Sequence, residues 1–270
     1  MLRKGDLTQG GITGTLLHFT LPMMVGSFLQ QCYNIADTLI VGQCIGAGAL
    51  AAVGSAYTLM VFLISVLLGL AMGSGTVFSL HYGAGNHVAL RRSIFSSFVL
   101  IGIVTLILNV AVFIWLDPIL RLLQVPQDIY GMMRSYLWII FCGIVFTFIY
   151  NFYASLLRAV GDSVTPLWFL AVSVVLNIAL DLFFILQLDW GIQGAAAATV
   201  LAQGVAALGI IIYTYRRRPE LRWHHEDMCF DRTCLKEIAS FSTLTCVQQS
   251  VMNLGILMIQ GLVNSFGTAV

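Results

Sequence analysis

Long uncharged runs constrain this 270-residue sequence more than any other feature. Over Leu7–Leu90 the only formally charged side chain is Asp37, and over Val164–Leu188 it is Asp181. The whole chain is 59% hydrophobic and 9% charged, whereas soluble domains are about 25% charged. Apolar runs of this length need a membrane around them, so the composition predicts an all-α integral membrane protein.

Seven apolar segments reach about 20 residues, the length that crosses a hydrocarbon core of ~30 Å. They are Leu16–Ile40, Tyr57–Phe78, Ile94–Trp115, Tyr136–Leu156, Pro166–Leu186, Gly194–Tyr215 and Ile238–Leu262. We predict a six-helix transmembrane lobe over residues 1–215 and a basic cytoplasmic linker over residues 216–236. Residues 237–270 are predicted to form the first helix of a second, truncated lobe.

The distribution of Lys and Arg predicts the orientation of the chain. With seven alternating spans, the N-terminus and the second, fourth and sixth loops carry 11 of the 13 positive residues, and Arg121 and Arg134 are the two on the other side. Because positive residues remain on the cytoplasmic side, the N-terminus is predicted to be cytoplasmic. The net charge of +1 gives no basic field for nucleic acid, and nucleic-acid binding is not expected.

The six cysteines predict neither a disulfide framework nor a metal centre. None is in a Cys-x-x-Cys spacing, and most lie in apolar segments, where cysteine behaves as a small hydrophobe. The linker does hold several potential zinc ligands, namely His224, His225, Cys229 and Cys234. Their spacing fits no standard zinc finger, so we interpret this segment as a solvated linker next to anionic lipid.

A polar stripe runs along the first predicted helix. Gln30, Tyr33, Asn34 and Asp37 follow one another at i, i+3, i+4 and i+7, which places them on one helical face. Pro22 lies earlier in the same span and removes a backbone hydrogen bond, so the helix is predicted to kink or bend there. The stripe must face the interior of the bundle or a water-filled cavity, because lipid would leave its polar groups unpaired.

Two further helices each present a shorter polar stripe. Asn177 and Asp181 lie four residues apart on the fifth predicted helix, and Thr199 and Gln203 on the sixth. Such amides and hydroxyls often only join helices. A carboxylate inside the bilayer costs at least ~2.5–3.5 kcal/mol, which makes a purely structural role less expected for the aspartates.

The available ligand atoms limit the chemistry of this cluster. Carboxylate, amide and hydroxyl oxygens are hard ligands that suit Na⁺ or a proton and do not suit zinc or copper. Burial and a neighbouring like charge both disfavour ionisation, so one of two nearby carboxylates can take up a proton near neutral pH. A cation can replace that proton at the same site. No catalytic residues and no cofactor are predicted beyond this coupling ion, Na⁺ or H⁺.

Several motifs together resemble the N-terminal half of a bacterial multidrug and toxin extrusion (MATE) transporter. They are Leu21-Pro22, Tyr33-Asn-Ile-Ala-Asp-Thr-Leu-Ile-Val-Gly42, Gly46-Ala-Gly-Ala-Leu-Ala-Ala-Val-Gly54, Leu157-Arg-Ala-Val-Gly-Asp-Ser-Val-Thr-Pro166, and Asn177 and Asp181 followed by Thr199. They occur in the order and at the spacing of that family. The resemblance covers essentially the whole chain, although the family has twelve helices in two six-helix lobes.

The resemblance implies a function and assigns residues to it. It implies a transporter rather than an enzyme: an antiporter in the bacterial inner membrane, monomeric at full length, that exports cationic drugs or toxic metabolites in exchange for Na⁺ or H⁺. It assigns cation or proton binding to Asp37, Asn177, Asp181 and Thr199. A substrate cavity is assigned to Gln30, Tyr33, Asn34 and Gln203, and a hinge to Pro22.

Three other functions remain open on the sequence. A flippase for lipid-linked oligosaccharides would line its cavity with Lys and Arg, and no predicted helix interior carries a positive charge. An intramembrane aspartyl protease could use two membrane aspartates as a dyad, but Asp181 lies in Ala-Leu-Asp-Leu rather than in that family's Gly-x-Gly-Asp signature. A channel would conduct without saturable counter-transport.

Overall fold

The computed structural model describes residues 12–122, 125–223 and 232–265. These residues form eight α-helices: α1 (Ile12–Cys44), α2 (Ala47–Gly83), α3 (His87–Leu122), α4 (Gln127–Cys142), α5 (Ile144–Ala159), α6 (Val164–Leu182), α7 (Gly191–Arg217) and α8 (Arg232–Ser265). Two short segments of other helical type are Phe183–Gln187, a π-helix, and Pro219–Leu221, a 3₁₀-helix. There is no β-strand among the described residues, and the prediction of an all-α fold is confirmed.

Several helices are long and apolar enough to cross a membrane. Among the described residues they are α2, α3, α7 and the continuous stretch Val164–Gln187, and α4 and α5 together form a fifth, bent span. This set includes neither α1 nor α8, which at 33 and 34 residues also exceed the roughly 20 residues that a span needs. The predicted fourth span is therefore two helices, which meet at an angle of 47°.

Two helices occupy the centre of the bundle. α2 packs against α1, α3, α4, α5 and α8, and α7 packs against α4, α5 and α6. α7 can pack closely against these neighbours because its buried side chains are mostly alanines, including Ala195, Ala198 and Ala202. An aromatic cluster fills the space between α3 and α5, where Phe98 lies 5.3 Å from both Phe148 and Phe152.

α8 docks on α2 through small residues. A Cβ added at Gly73 would lie 2.4 Å from the Ser242 Cα, and one at Gly69 would lie 2.6 Å from the Cys246 Sγ. Only glycine permits this approach, as in other close helix contacts in membranes. At the end of the same contact His81 on α2 lies 3.4 Å from the Glu237 carboxylate.

The predicted linker is more ordered than its sequence suggested. α7 extends to Arg217, and the chain then packs Trp223 onto α3, with ring centroids 5.9 Å from Phe95 and 5.4 Å from Phe98. α8 begins at Arg232, inside the predicted linker. Arg216, Arg217 and Arg222 in this first part are exposed, whereas Trp223 packs on an aromatic surface of the lobe. His224, His225 and Cys229 lie outside the described residues.

Candidate functional site

The two intramembrane aspartates come together between α1 and α6. These helices pack side by side, and each aspartate lies near the same end of its helix, Asp37 seven residues before the end of α1 and Asp181 one residue before the end of α6. Asp37 is 9% exposed and Asp181 is 0% exposed. The two carboxyl groups are within hydrogen-bonding reach of each other. Two carboxyl groups can share a hydrogen bond only if one of them carries a proton.

Asn177 links Asp181 to the neighbouring helix. With its amide nitrogen facing the carboxylate, Asn177 Nδ2 donates to Asp181 Oδ2 at 3.0 Å. Its Oδ1 then accepts from the backbone N–H and the hydroxyl of Thr199 on α7, at 3.2 and 3.3 Å. Asn177 is only 1% exposed, so this single orientation of the amide satisfies both ends of a buried side chain.

Tyr33 closes the network from α1. Its hydroxyl lies 3.2 Å from Thr199 Oγ1, so the side chains run in order from Tyr33 through Thr199 and Asn177 to Asp181. The three stripes that the sequence placed on separate helices therefore meet at one place. The structure brings together all four residues predicted to bind the cation, whereas their role in binding it stays a prediction.

Tyr136 on α4 is a member of the cluster that sequence reasoning missed. It is 4% exposed and interacts electrostatically with Asp37, Tyr33 and Asp181. The predicted fourth span began at Tyr136, at the edge of the membrane. α4 instead begins nine residues earlier, at Gln127, so Tyr136 lies in the interior of the helix. The run Asp128–Arg134 contains charged residues, and for that reason it was left out of the predicted span. Including this run in the helix would have placed Tyr136 in the helix interior.

Three of the predicted cavity residues are exposed or have hydrogen-bond partners outside the carboxylate cluster. The Gln30 side chain is exposed, and Asn34 donates to Gln31 Oε1 at 3.1 Å. Gln203 accepts a hydrogen bond from Thr147 on α5. Of the predicted cavity set, only Tyr33 contacts the cluster. Lining of a substrate cavity by the others stays a prediction.

The predicted hinge residue lies within an unbroken helix. α1 runs from Ile12 to Cys44 with Pro22 inside it. The predicted kink therefore does not divide the helix in this structure, and the ability of α1 to bend at Pro22 stays a prediction.

A π-helix follows directly after Asp181. Residues Phe183–Gln187 wind more loosely than an α-helix, a feature often found at functional sites. Phe184 in this segment stacks on Trp190 with centroids 5.1 Å apart, and Gly194 at the start of α7 packs against Phe184. These contacts fix the end of α6, which carries Asp181, to the start of α7, which carries Thr199.

The oxygen atoms of this cluster leave capacity for a cation. Oδ1 of Asp37 and Oδ1 of Asp181 are both buried and accept no hydrogen bond from the described residues. A buried polar atom without a partner is costly, and carboxylate oxygens are ligands for hard cations or sites for a proton. The unpartnered acceptors are these two carboxylate oxygens, and cation binding by Asp37, Asn177, Asp181 and Thr199 stays a prediction.

Comparisons with known proteins agree on one family. The MatE family profile matches residues 22–183. The chain is 33% identical over 273 aligned residues to the probable multidrug resistance protein YpnP of Bacillus subtilis, covering 98% of this chain and 59% of that protein. It is 31% identical to the multidrug export protein MepA of Staphylococcus saprophyticus, covering 75% of this chain and 45% of that protein.

A solved structure shows the same fold. An outward-facing multidrug resistance MATE transporter of the MOP superfamily superposes with a TM-score of 0.90 at 24% identity, covering 99% of this chain and 59% of that one. The chain thus spans between about 45% and 59% of the length of these relatives. On the match of the family profile and of YpnP, the chain belongs to the MatE family of multidrug and toxin extrusion transporters.

Proposed function

We propose that the full-length protein is a secondary active antiporter that exports cationic organic molecules in exchange for Na⁺ or H⁺. The observation that carries this proposal is the buried Asp37–Asp181 pair, in which each carboxyl group retains an oxygen without a hydrogen-bond partner. Such a pair is costly in a membrane and is rarely present without a functional role. The printed names of the relatives, multidrug resistance and multidrug export proteins, support the substrate class.

The pair can couple two opposite movements by competition. When Asp37 and Asp181 share a proton or bind Na⁺, their negative charge is neutralised and no longer attracts a cationic substrate. When the ion leaves, the negative charge returns and attracts a cationic substrate. An exporter that alternates its access between the two sides of the membrane therefore exchanges one cation for the other. Asn177 and Thr199 orient the Asp181 carboxylate during this exchange.

We further propose that the N-terminus is cytoplasmic, that the protein lies in the bacterial inner membrane, and that the full-length chain acts as a monomer. Arg91 and Arg92 at the start of α3 and Arg216 and Arg217 at the end of α7 belong to the predicted cytoplasmic side. Arg134 belongs to the opposite side. Both carboxylates then lie in the outer half of the membrane. Labelling of single cysteines introduced next to these positions with a membrane-impermeant reagent tests this orientation.

Efflux from proteoliposomes tests the function directly. The full-length protein is reconstituted with a fluorescent organic cation, and a Na⁺ gradient and a pH gradient are imposed separately. We expect one of the two gradients to drive efflux, and we expect Asp37→Asn to abolish that driven efflux, because an amide neither releases a proton nor binds Na⁺ with a charge. Asp128→Asn is the matched control, since this aspartate is exposed at the start of α4.

The outcomes separate the alternatives. Efflux that follows a pH gradient alone assigns the proton, and efflux that follows Na⁺ alone assigns sodium. Driven efflux that persists undiminished in Asp37→Asn, in protein that inserts like the wild type, would refute the antiporter assignment at this site. Ion flux that does not saturate and needs no counter-substrate would favour a channel.

A further inference from the structure

The fourth transmembrane segment is bent in the middle of the bundle. α4 ends at Cys142, α5 begins at Ile144, and their axes differ by 47°. The segment contains no proline, which is the usual cause of so sharp a bend. Within a bilayer the backbone groups at such a break can be paired only by other protein groups. Phe141 O still accepts a backbone N–H at the end of α4, and a side chain of a neighbouring helix can add a second hydrogen bond there.

Asn109 on α3 supplies an additional donor at the break. Its Nδ2 donates to the carbonyl oxygen of Phe141 at 2.7 Å, two residues before Gly143. The far side of the break is held by α7: a Cβ at Gly143 would lie 2.4 Å from Val200 Cγ2, and Thr147 donates to Gln203. The bend is thus enclosed between α3 and α7, each of which packs against both α4 and α5.

α3 also holds the outer half of this segment at a second point. Asp117 accepts hydrogen bonds from Arg134 Nε at 2.8 Å and from the Tyr130 hydroxyl at 2.9 Å. Asn109 and Asp117 are eight residues apart, a little over two turns, and so lie on one face of α3. The attached positions on α4, Arg134 and Phe141, lie on either side of Tyr136 in the sequence.

The bend decides where Tyr136 lies. Tyr136 is seven residues from Gly143, a distance of roughly 10 Å along a helix that rises 1.5 Å per residue. If α4 continued straight from α5, a change of 47° over that length would move the backbone at Tyr136 by about 8 Å. A displacement of this size would remove the tyrosine from the buried cluster with Asp37 and Asp181.

We propose that Asn109 is a positioning residue of the cation site: its hydrogen bond to Phe141 fixes the bend that places Tyr136 beside the Asp37–Asp181 pair. This inference rests on the proposed antiport function. The hydrogen bond of Asn109 goes to the Phe141 carbonyl and not to a side chain of the cluster, so Asn109 acts through the backbone of α4. Other amides in membrane helices join neighbours at regular positions, whereas this one bonds a carbonyl at the break of the helix that carries Tyr136.

The test uses the full-length protein in the efflux assay with whichever ion gradient drives transport. Asn109→Leu keeps the approximate size of the side chain and removes the donor. Because residues that orient the ligands of an ion site affect its affinity 10–100-fold, we expect the half-saturating ion concentration to rise by about tenfold. The substrate KM should change by less than about twofold, since the substrate does not contact α3 in this scheme.

Two further variants of α3 serve as controls. Thr105→Val removes another buried hydroxyl of α3, which bonds only Ile101 O of its own helix at 2.7 Å, and it should leave the ion response unchanged. Asn109→Ser is the milder second variant if the leucine protein fails to insert. A serine hydroxyl bonds its own helix, so the contact with Phe141 is lost and the same shift is expected.

A double-mutant cycle with Tyr136→Phe identifies the route of the effect. If Asn109 acts through Tyr136, Asn109→Leu should change the ion response little in the Tyr136→Phe background, since contacting or coupled residues are not additive. Two results would overturn the positioning role while leaving the antiport function in place, provided that Asp37→Asn abolishes coupling. One is full additivity of the Asn109→Leu and Tyr136→Phe effects. The other is an ion response of Asn109→Leu equal to that of Thr105→Val. If Asp37→Asn retains driven efflux, the proposed function and this inference both fall.

Discussion

α1 contains a proline and stays continuous, whereas the α4–α5 segment contains none and breaks at Gly143. Around Pro22 the side chains of Leu21, Met24 and Val25 are 60%, 64% and 48% exposed, so little packing within the described chain fixes that stretch. The break at Gly143 is instead enclosed by α3 and α7. The bend at Gly143 is fixed because neighbouring helices supply both a close surface and an additional side-chain donor there.

The two segments at the carboxylate pair therefore differ in how firmly they are held. α1 carries Asp37, and its proline leaves one backbone hydrogen bond of the helix unmade. The α4–α5 segment carries Tyr136, and its bend is held from two sides. We therefore expect α1 to move during transport and the bend in the fourth segment to persist, and three substitutions test this difference.

The largest effect should follow from filling the break. Gly143→Ala places a methyl group where a Cβ would lie 2.4 Å from Val200 Cγ2. Overpacking of this kind should lower the free energy of unfolding by about 1–3 kcal/mol, measured by thermal unfolding of the purified full-length protein. Efflux should fall as Tyr136 shifts from the cluster.

Matched variants identify the cause of that loss. Val200→Ala in the Gly143→Ala protein should restore much of the stability, because it removes the clashing methyl groups. Gly102→Ala should cost little, since a Cβ there meets only Phe148 ring atoms at 3.8 and 4.0 Å. A Gly143→Ala protein as stable and as active as the wild type would show that the break does not depend on close contact with α7.

A smaller effect is expected from restoring the backbone hydrogen bond in α1. Pro22→Ala should slow turnover by several-fold, roughly the equivalent of 1 kcal/mol in a barrier, and should leave substrate KM nearly unchanged, because the helix becomes harder to bend while its side chains stay in place. Initial rates of efflux over a range of substrate concentrations provide the measurement. Pro118→Ala is the control, as this proline lies near the end of α3. A raised KM with unchanged turnover would contradict a hinge at Pro22.

The smallest effect should come from the outer attachment of α4. Asp117 and Arg134 have side chains 42% and 46% exposed, and exposed ion pairs contribute little because water screens them. Asp117→Asn should therefore raise the half-saturating ion concentration by less than about twofold, well below the effect of Asn109→Leu. The same efflux assay compares the two variants. If Asp117→Asn had the larger effect, the outer ion pair rather than the bend would position Tyr136.

The sequence was sufficient for the apolar helices and for the polar stripes, because apolar length and helical spacing are local properties. The grouping of Asp37, Asn177, Asp181 and Thr199 at one site came from the resemblance to the family. The sequence was not sufficient for the break at Gly143. That feature depends on Asn109 and Val200, which lie 34 residues before and 57 residues after it.

Tyr136 was missed for a related reason. Hydropathy placed the start of the span at this residue, since Asp128 and Arg134 interrupt the apolar run. In the structure the helix extends past both charges, and Arg134 is neutralised by Asp117 on another helix. A pairing between helices cannot be read from the pattern of one of them. The resemblance assigned Gln30 and Gln203 to the substrate cavity, and helical spacing gives the face of a helix but not the neighbour of each side chain.

The described members of the carboxylate cluster come from α1, α4, α6 and α7, and none comes from α8. Under the proposed function, the residues that recognise the ion lie within one contiguous stretch of the sequence, from Tyr33 to Thr199. The remainder of the protein can diverge in sequence and in the molecules that it accommodates without rebuilding the ion site. Exchange of this stretch between related transporters should accordingly transfer the choice of coupling ion separately from the choice of drug.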